Sequence, residues 1–164
     1  MIIDAHSHLT DQRLCEKVGL ELPPSMLNPD ALVEEQLESG IDLSIISGPR
    51  LMDFAVENNS MNPVEVATEY NDFVTELISN HQSSFAGLGV AYPFADDLML
   101  REMERAVKEL GLRGFVISPT CEGEFIDSPK ALPFFDLCQE LDVVVFVHNR
   151  DSCLACEHMQ DYRL

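Results

Sequence analysis

The sequence predicts an α/β fold built on a parallel sheet, and three observations lead to it. Short apolar runs alternate with segments of helical period. The runs are apolar on both faces, as strands covered by helices on each side must be. No repeat, linker or low-complexity stretch breaks the alternation, so right-handed crossovers between parallel strands are expected within one domain.

The first run, IIDAHSHL at 2–9, reads as a strand. A helix follows at about 29–39, with Asn28 as its cap, Pro29 in its first position and Gly40 just past its end. IDLSIIS at 41–47 is the second strand. The best-defined helix spans about 63–80: Asn62 and Glu65 form a capping-box-like pair, and Val66, Tyr70, Phe73, Val74 and Leu77 make one apolar stripe. FAGLGVAYP at 85–93 is the third strand. Met99, Met103, Ala106, Val107 and Leu110 then repeat the helical stripe, Glu104 and Lys108 are spaced to pair outside it, and Gly111 stops it. LRGFVISP at 112–119 is the fourth strand, Pro133 opens a helix carrying Phe134, Leu137, Cys138 and Leu141, and VVVFVHN at 143–149 is the fifth. The least patterned stretches are 10–27, 48–62, 93–97 and 119–132. Most of them follow carboxyl ends of strands, where folds of this kind build their sites.

Composition narrows the partners. Ten Lys and Arg stand against 29 Asp and Glu, a formal charge of -19, so nucleic acid and anionic membrane surfaces are excluded as favoured partners. A small anionic molecule is not, because a bound cation or a local Arg can reverse the potential inside one cleft. No secretory signal is visible in MIIDAHSH and the longest apolar run is VVVFV, far short of a membrane span. The five cysteines are an odd, scattered set, which fits reduced thiols in the cytoplasm.

Three histidines carry the chemistry. Residues two apart in a strand share a face, so His6 and His8 present two imidazoles side by side at the end of the first strand. His148 ends the fifth strand on the same side of the sheet. Together they make an open three-nitrogen site for one divalent ion, zinc being the first choice. Arg50, just beyond the second strand, and Arg150, just beyond the fifth, stand where a substrate carboxylate would be gripped by a planar guanidinium fork. Glu122, Glu124 and Asp127 suit an acidic loop and receive no catalytic role, His81 and His158 read as surface residues, and CLACEH at 153–158 reads as irregular tail.

With these residues in hand, IIDAHSHL, NPDALVEEQLESGIDLSIIS, YNDFVTELISNHQSSFAGLGVAYP, ERAVKELGLRGFVISP and ALPFFDLCQELDVVVFVHN resemble the amidohydrolase-related family. The branch is that of the aminocarboxymuconate semialdehyde and resorcylate decarboxylases. The resemblance covers residues 1 to about 149 and implies a (β/α)₈ barrel of which five strands are present, followed by an atypical tail at 150–164. It implies one metal, held by His6, His8 and His148, since the fourth strand reads FVISP and lacks the lysine that bridges two ions in other members. The family's last ligand, an Asp after the eighth strand, and its catalytic His after the sixth have no positions here, so no catalytic residue is assigned in this chain. The expected activity is metal-dependent hydrolysis or decarboxylation of a small carboxylate-bearing molecule, and homo-oligomers are compatible with it. The competing expectation is a catalytically silent fragment that serves as a folding or interaction unit.

Overall fold

The computed structural model describes residues 1–48, 50–94 and 96–148. Its elements run β1 (Ile3–His8), α1 (Gln12–Val18), α2 (Pro29–Ser39), β2 (Leu43–Ser47), α3 (Arg50–Glu57), α4 (Pro63–Asn80), β3 (Phe85–Gly87), β4 (Gly89–Val90), α5 (Asp97–Lys108), β5 (Gly114–Ile117), β6 (Thr120–Cys121), β7 (Glu124–Phe125), α6 (Leu132–Glu140) and β8 (Val144–Val147). Short 3₁₀ turns at Pro24–Met26 and Pro129–Ala131 lead into α2 and α6.

All the long strands pair in parallel, in the order β1-β2-β3 and then β4-β5-β8. β3 and β4 lie on either side of Leu88, whose N–H donates to the Ile46 carbonyl at 2.9 Å. The expected third strand therefore faces β2 with its first half and β5 with its second, and one continuous arc results. Chain order and spatial order agree along this arc, with a helix returning the chain between successive strands. The sequence expectation of an α/β fold with a parallel sheet holds.

The capping signals act as their chemistry dictates. The Asn28 side chain accepts from the Ala31 N–H at 3.1 Å and Asn62 from Val64 at 2.8 Å, each satisfying a donor the helix cannot. Gly40 closes α2 with φ 69°, a left-handed conformation that costs a residue without a side chain little. Lys108 reaches Glu104 at 2.8 Å along α5.

Two helices escaped the sequence reading. α1 and α3 occupy stretches read there as unpatterned, and both are short. α1 is capped by Asp11, which accepts from Leu14 at 2.9 Å, and it buries Leu14, Cys15 and Val18. α3 buries Leu51, Met52, Asp53 and Ala55. Tertiary burial, which a few apolar positions in seven or eight residues barely announce, holds them in place.

The core joins the arc to its helices through Ile46, Val66, Tyr70, Val74, Met103 and Phe115. Tyr70 is fully buried on α4 and donates to the Leu9 carbonyl at 3.4 Å. Its ring lies against Gly48 at the exit of β2, where an added Cβ would stand 2.3 Å away. That contact brings α4 under the end of the strand from which the chain turns toward α3.

Candidate metal and substrate site

The three histidines meet. His6 and His8 leave the carboxyl end of β1, and His148 follows β8, where its N–H extends the β5 ladder by donating to the Ile117 carbonyl at 2.8 Å. Ring centroids are 4.6 Å apart for His6 and His8, 4.8 Å for His6 and His148, and 5.3 Å for His8 and His148. One nitrogen from each lies within 4.8 Å of the other two. Zinc–nitrogen bonds of about 2.0–2.1 Å place two ligands of a tetrahedral site roughly 3.4 Å apart, so small ring rotations close the set on an ion.

His8 is the best-anchored member. Its Nδ1 lies 3.2 Å from the Ser47 carbonyl oxygen and 3.2 Å from the Ser47 hydroxyl. A carbonyl only accepts, so Nδ1 carries the proton there and Nε2 keeps its lone pair. Burial, with the neighbouring His6 and His148 adding to it, holds the His8 imidazole below its ordinary range against the opposing pull of the Ser47 carbonyl. The neutral ring that a metal needs is therefore favoured. His6 is exposed and packs its ring 5.2 Å from Phe146.

Around β1 the sequence reading missed two residues. The Asp4 carboxylate accepts from the His6 N–H at 3.0 Å and from the Ser7 hydroxyl. Those bonds, the Ser7 one first, hold the Asp4 carboxyl below its usual range and keep it ionised. An Asp two residues before H-x-H was the available signal. Ser47 was missed as well, because it contributes a backbone oxygen that no residue type announces.

His8 and His148 line a cavity of about 260 Å³ with Thr10, Leu22, Met26 and Arg50 among its other walls. Arg50 opens α3, and its guanidinium carbon stands 4.9 Å over the Phe54 ring. The expected carboxylate-binding Arg thus borders the histidine cavity. A larger cavity, about 730 Å³, lies near the amino ends of β3 and β8 and is lined by Ile45, Leu88, Val144 and Phe146. Arg113 is the one charged residue among its described lining residues, whereas the smaller cavity carries Glu21, Arg50 and two of the three histidines. Glu124 pairs with Lys130 at 2.7 Å, which fits its reading as an acidic-loop residue. Arg150, the CLACEH cysteines and the expected tail lie outside the described residues.

The chain is 27% identical over 128 residues to 2-amino-3-carboxymuconate-6-semialdehyde decarboxylase of Dictyostelium discoideum, a match covering 78% of this chain and 35% of that protein. It is 32% identical over 159 residues to gamma-resorcylate decarboxylase of a Polaromonas species, covering 87% and 48%. The structure of a dihydroxybenzoic acid decarboxylase from Polaromonas, solved with manganese and the inhibitor 2-nitroresorcinol, matches with a TM-score of 0.73 at 23% identity, covering 98% of this chain and 53% of that one. The chain spans about half the length or less of these relatives. The family model described as amidohydrolase matches residues 3–162, nearly the whole chain, and the protein belongs to the amidohydrolase family.

Proposed function

We propose that this chain supplies the histidine part of a one-metal site in a decarboxylase or hydrolase acting on a small carboxylate-bearing molecule. The observation that carries the reading is the convergence of His6, His8 and His148 at one end of the parallel arc, with one ring nitrogen from each within 4.8 Å of the other two. The donor set fits a divalent first-row ion, zinc or manganese. When bound, such an ion acts as a Lewis acid that activates water or polarises a substrate oxygen.

The chain's own residues have distinct tasks in this reading. His8 presents Nε2 with its other nitrogen held by Ser47. Arg50 grips a substrate carboxylate from the α3 side of the cavity, where two parallel N–H bonds fix its orientation as well as its position. Leu22 and Met26 exclude water from the apolar part of the molecule. The decarboxylase relatives favour loss of carbon dioxide over hydrolysis.

Isothermal calorimetry with Zn²⁺ and Mn²⁺ on the wild type and on His6→Ala and His148→Ala tests the site. One ion per wild-type chain, with affinity at least about 100-fold weaker in each variant, is expected for loss of one of three ligands. Equal binding by all three proteins refutes it.

A further inference from the structure

β1 does not pair regularly with β2. Asp4 stands opposite Ser44 and Ser7 opposite Ile46, so three steps along β1 match two along β2. One extra residue is inserted, and Ala5 and His6 fall outside the paired register. In a regular strand residues three apart point to opposite faces. Here the Asp4 and Ser7 side chains nevertheless meet, and the Ser7 hydroxyl donates to the Asp4 carboxylate.

We infer that Asp4 and Ser7 form a clamp that fixes this bulge and thereby aims His6 and His8 at one point. The other Asp4 oxygen takes the His6 N–H at 3.0 Å, a donor that the register shift removes from the ladder. Ser7 is buried, and its carbonyl accepts from the Ser47 hydroxyl at 3.5 Å. The same Ser47 holds His8. One carboxylate thus sets the backbone of the first histidine while the residue it binds is tied to the anchor of the second. His6 and His8 flank Ser7 on the opposite face, with rings 4.6 Å apart and nearly perpendicular. Bulges re-aim side chains in this way beside functional sites. Asp4 and Ser7 are positioning residues, and the inference rests on the three-histidine reading.

Cobalt(II) alone is the probe, because its visible ligand-field absorption reports coordination geometry as well as occupancy. The wild-type chain is expected to bind one Co²⁺. Asp4→Ala is expected to weaken binding about 10- to 100-fold, the usual effect of removing a group that orients a ligand, and to shift the absorption band. Asp4→Asn keeps one oxygen to accept the His6 N–H, while its amide N–H donates to the Ser7 hydroxyl oxygen in place of the reverse bond, and it is expected to restore affinity to within several-fold of wild type. A role in general stability alone would lower the apo melting midpoint and leave the band and the affinity of the folded protein unchanged. Should Asp4→Ala fail to fold, Ser7→Ala, which removes one bond and keeps the carboxylate, is read in its place with the same band shift expected and a smaller loss. Wild-type affinity and band in the folded variants overturn the clamp while the histidine site stands. Absence of Co²⁺ binding by the wild type overturns the histidine site and the clamp with it.

Discussion

The His8 ring is held across two strands by the backbone of Ser47, with Nδ1 3.2 Å from the carbonyl oxygen. This fixes the tautomer. Long-range ¹⁵N NMR on the metal-free chain is expected to show His8 protonated on Nδ1 above neutral pH. Ser47→Ala should leave that tautomer in place, since the carbonyl remains, and should cost less than about tenfold in zinc affinity. A His8 protonated on Nε2 would remove the basis for presenting that nitrogen to an ion.

Arg50→Lys tests the carboxylate grip in the complete enzyme. Lys keeps the charge and loses the planar fork, and a charge-assisted hydrogen bond is worth about 1.5–3 kcal/mol. KM should rise roughly 10- to 100-fold with kcat changed much less, because the lost contact serves ground state and transition state alike. Unchanged kinetics would return Arg50 to the role of a surface residue packed on Phe54.

How far the sequence spoke depends on what each residue contributes. Strong periodic stripes made α4 and α5 legible; the α4 cap was read correctly from Asn62, whereas α5 is capped by Asp96 and Glu109, the latter two residues before the Gly111 expected to stop it. The three histidines were legible because His8 ends β1, His148 directly follows β8, and alternation along β1 put His6 on the side of His8. What stayed hidden was backbone work. The bulge in β1 leaves no compositional mark, Ser47 acts through its carbonyl, and α1 and α3 are held by burial that seven or eight residues do not reveal. The split of the third strand was hidden for a similar reason: a run of small and apolar residues does not say which neighbour each half will pair with.

The interior polar joint at Asn71 is expected to matter more than its size suggests. Its side chain donates to Glu102 at 2.9 Å and accepts from the Val90 N–H at 2.9 Å, fully buried between α4, α5 and β4. Asn71→Ala leaves the buried Val90 N–H without its acceptor and takes one bond from Glu102, whose carboxylate keeps Arg105, at about 1–3 kcal/mol for the donor not rescued by water. Gly89 comes so close that an added Cβ would stand 2.6 Å from the Asn71 oxygen, so Gly89→Ala should destabilise through the same joint. Chemical denaturation of each single variant and of the pair checks this, and coupling between the two sites is expected because they share one contact.

Cys15 and Cys138 should be inert thiols under ordinary conditions. Burial, aided at Cys15 by the charge of Asp11, pushes each up to about 11. A thiol with its folded pKa raised stays protonated longer in the native state, so its contribution to stability is present below about 9 and is lost as pH rises toward about 11. Mass spectrometry after iodoacetamide at pH 8 should find both unmodified in the folded chain and modified in denaturant. Rapid native-state labelling of either would contradict their burial.

The last prediction concerns the two ends of the arc. Among the described residues β1 pairs with β2 alone and β8 with β5 alone. Each therefore presents a row of unpaired backbone groups, and apolar side chains lie beside them: Ile2 is 59% exposed, Ile3 43%, Val144 62% and Val147 46%. Exposed edges with apolar neighbours invite strand pairing with another chain. The formal charge of -19 opposes it, since like-charged copies repel at distances the Debye length allows. Edge pairing is short-range and survives salt, whereas the repulsion is screened within about 8 Å at physiological ionic strength. The 164-residue chain alone should thus self-associate, and more strongly as salt rises. Sedimentation velocity at low and high salt decides it: an 18.4 kDa monomer under both conditions would show that the edges are protected, and association that weakens with salt would place the contact on charged surfaces instead. Replacing Val144 and Ile3 with Lys should shift the chain toward monomer, because a charge on an edge strand must be desolvated for pairing.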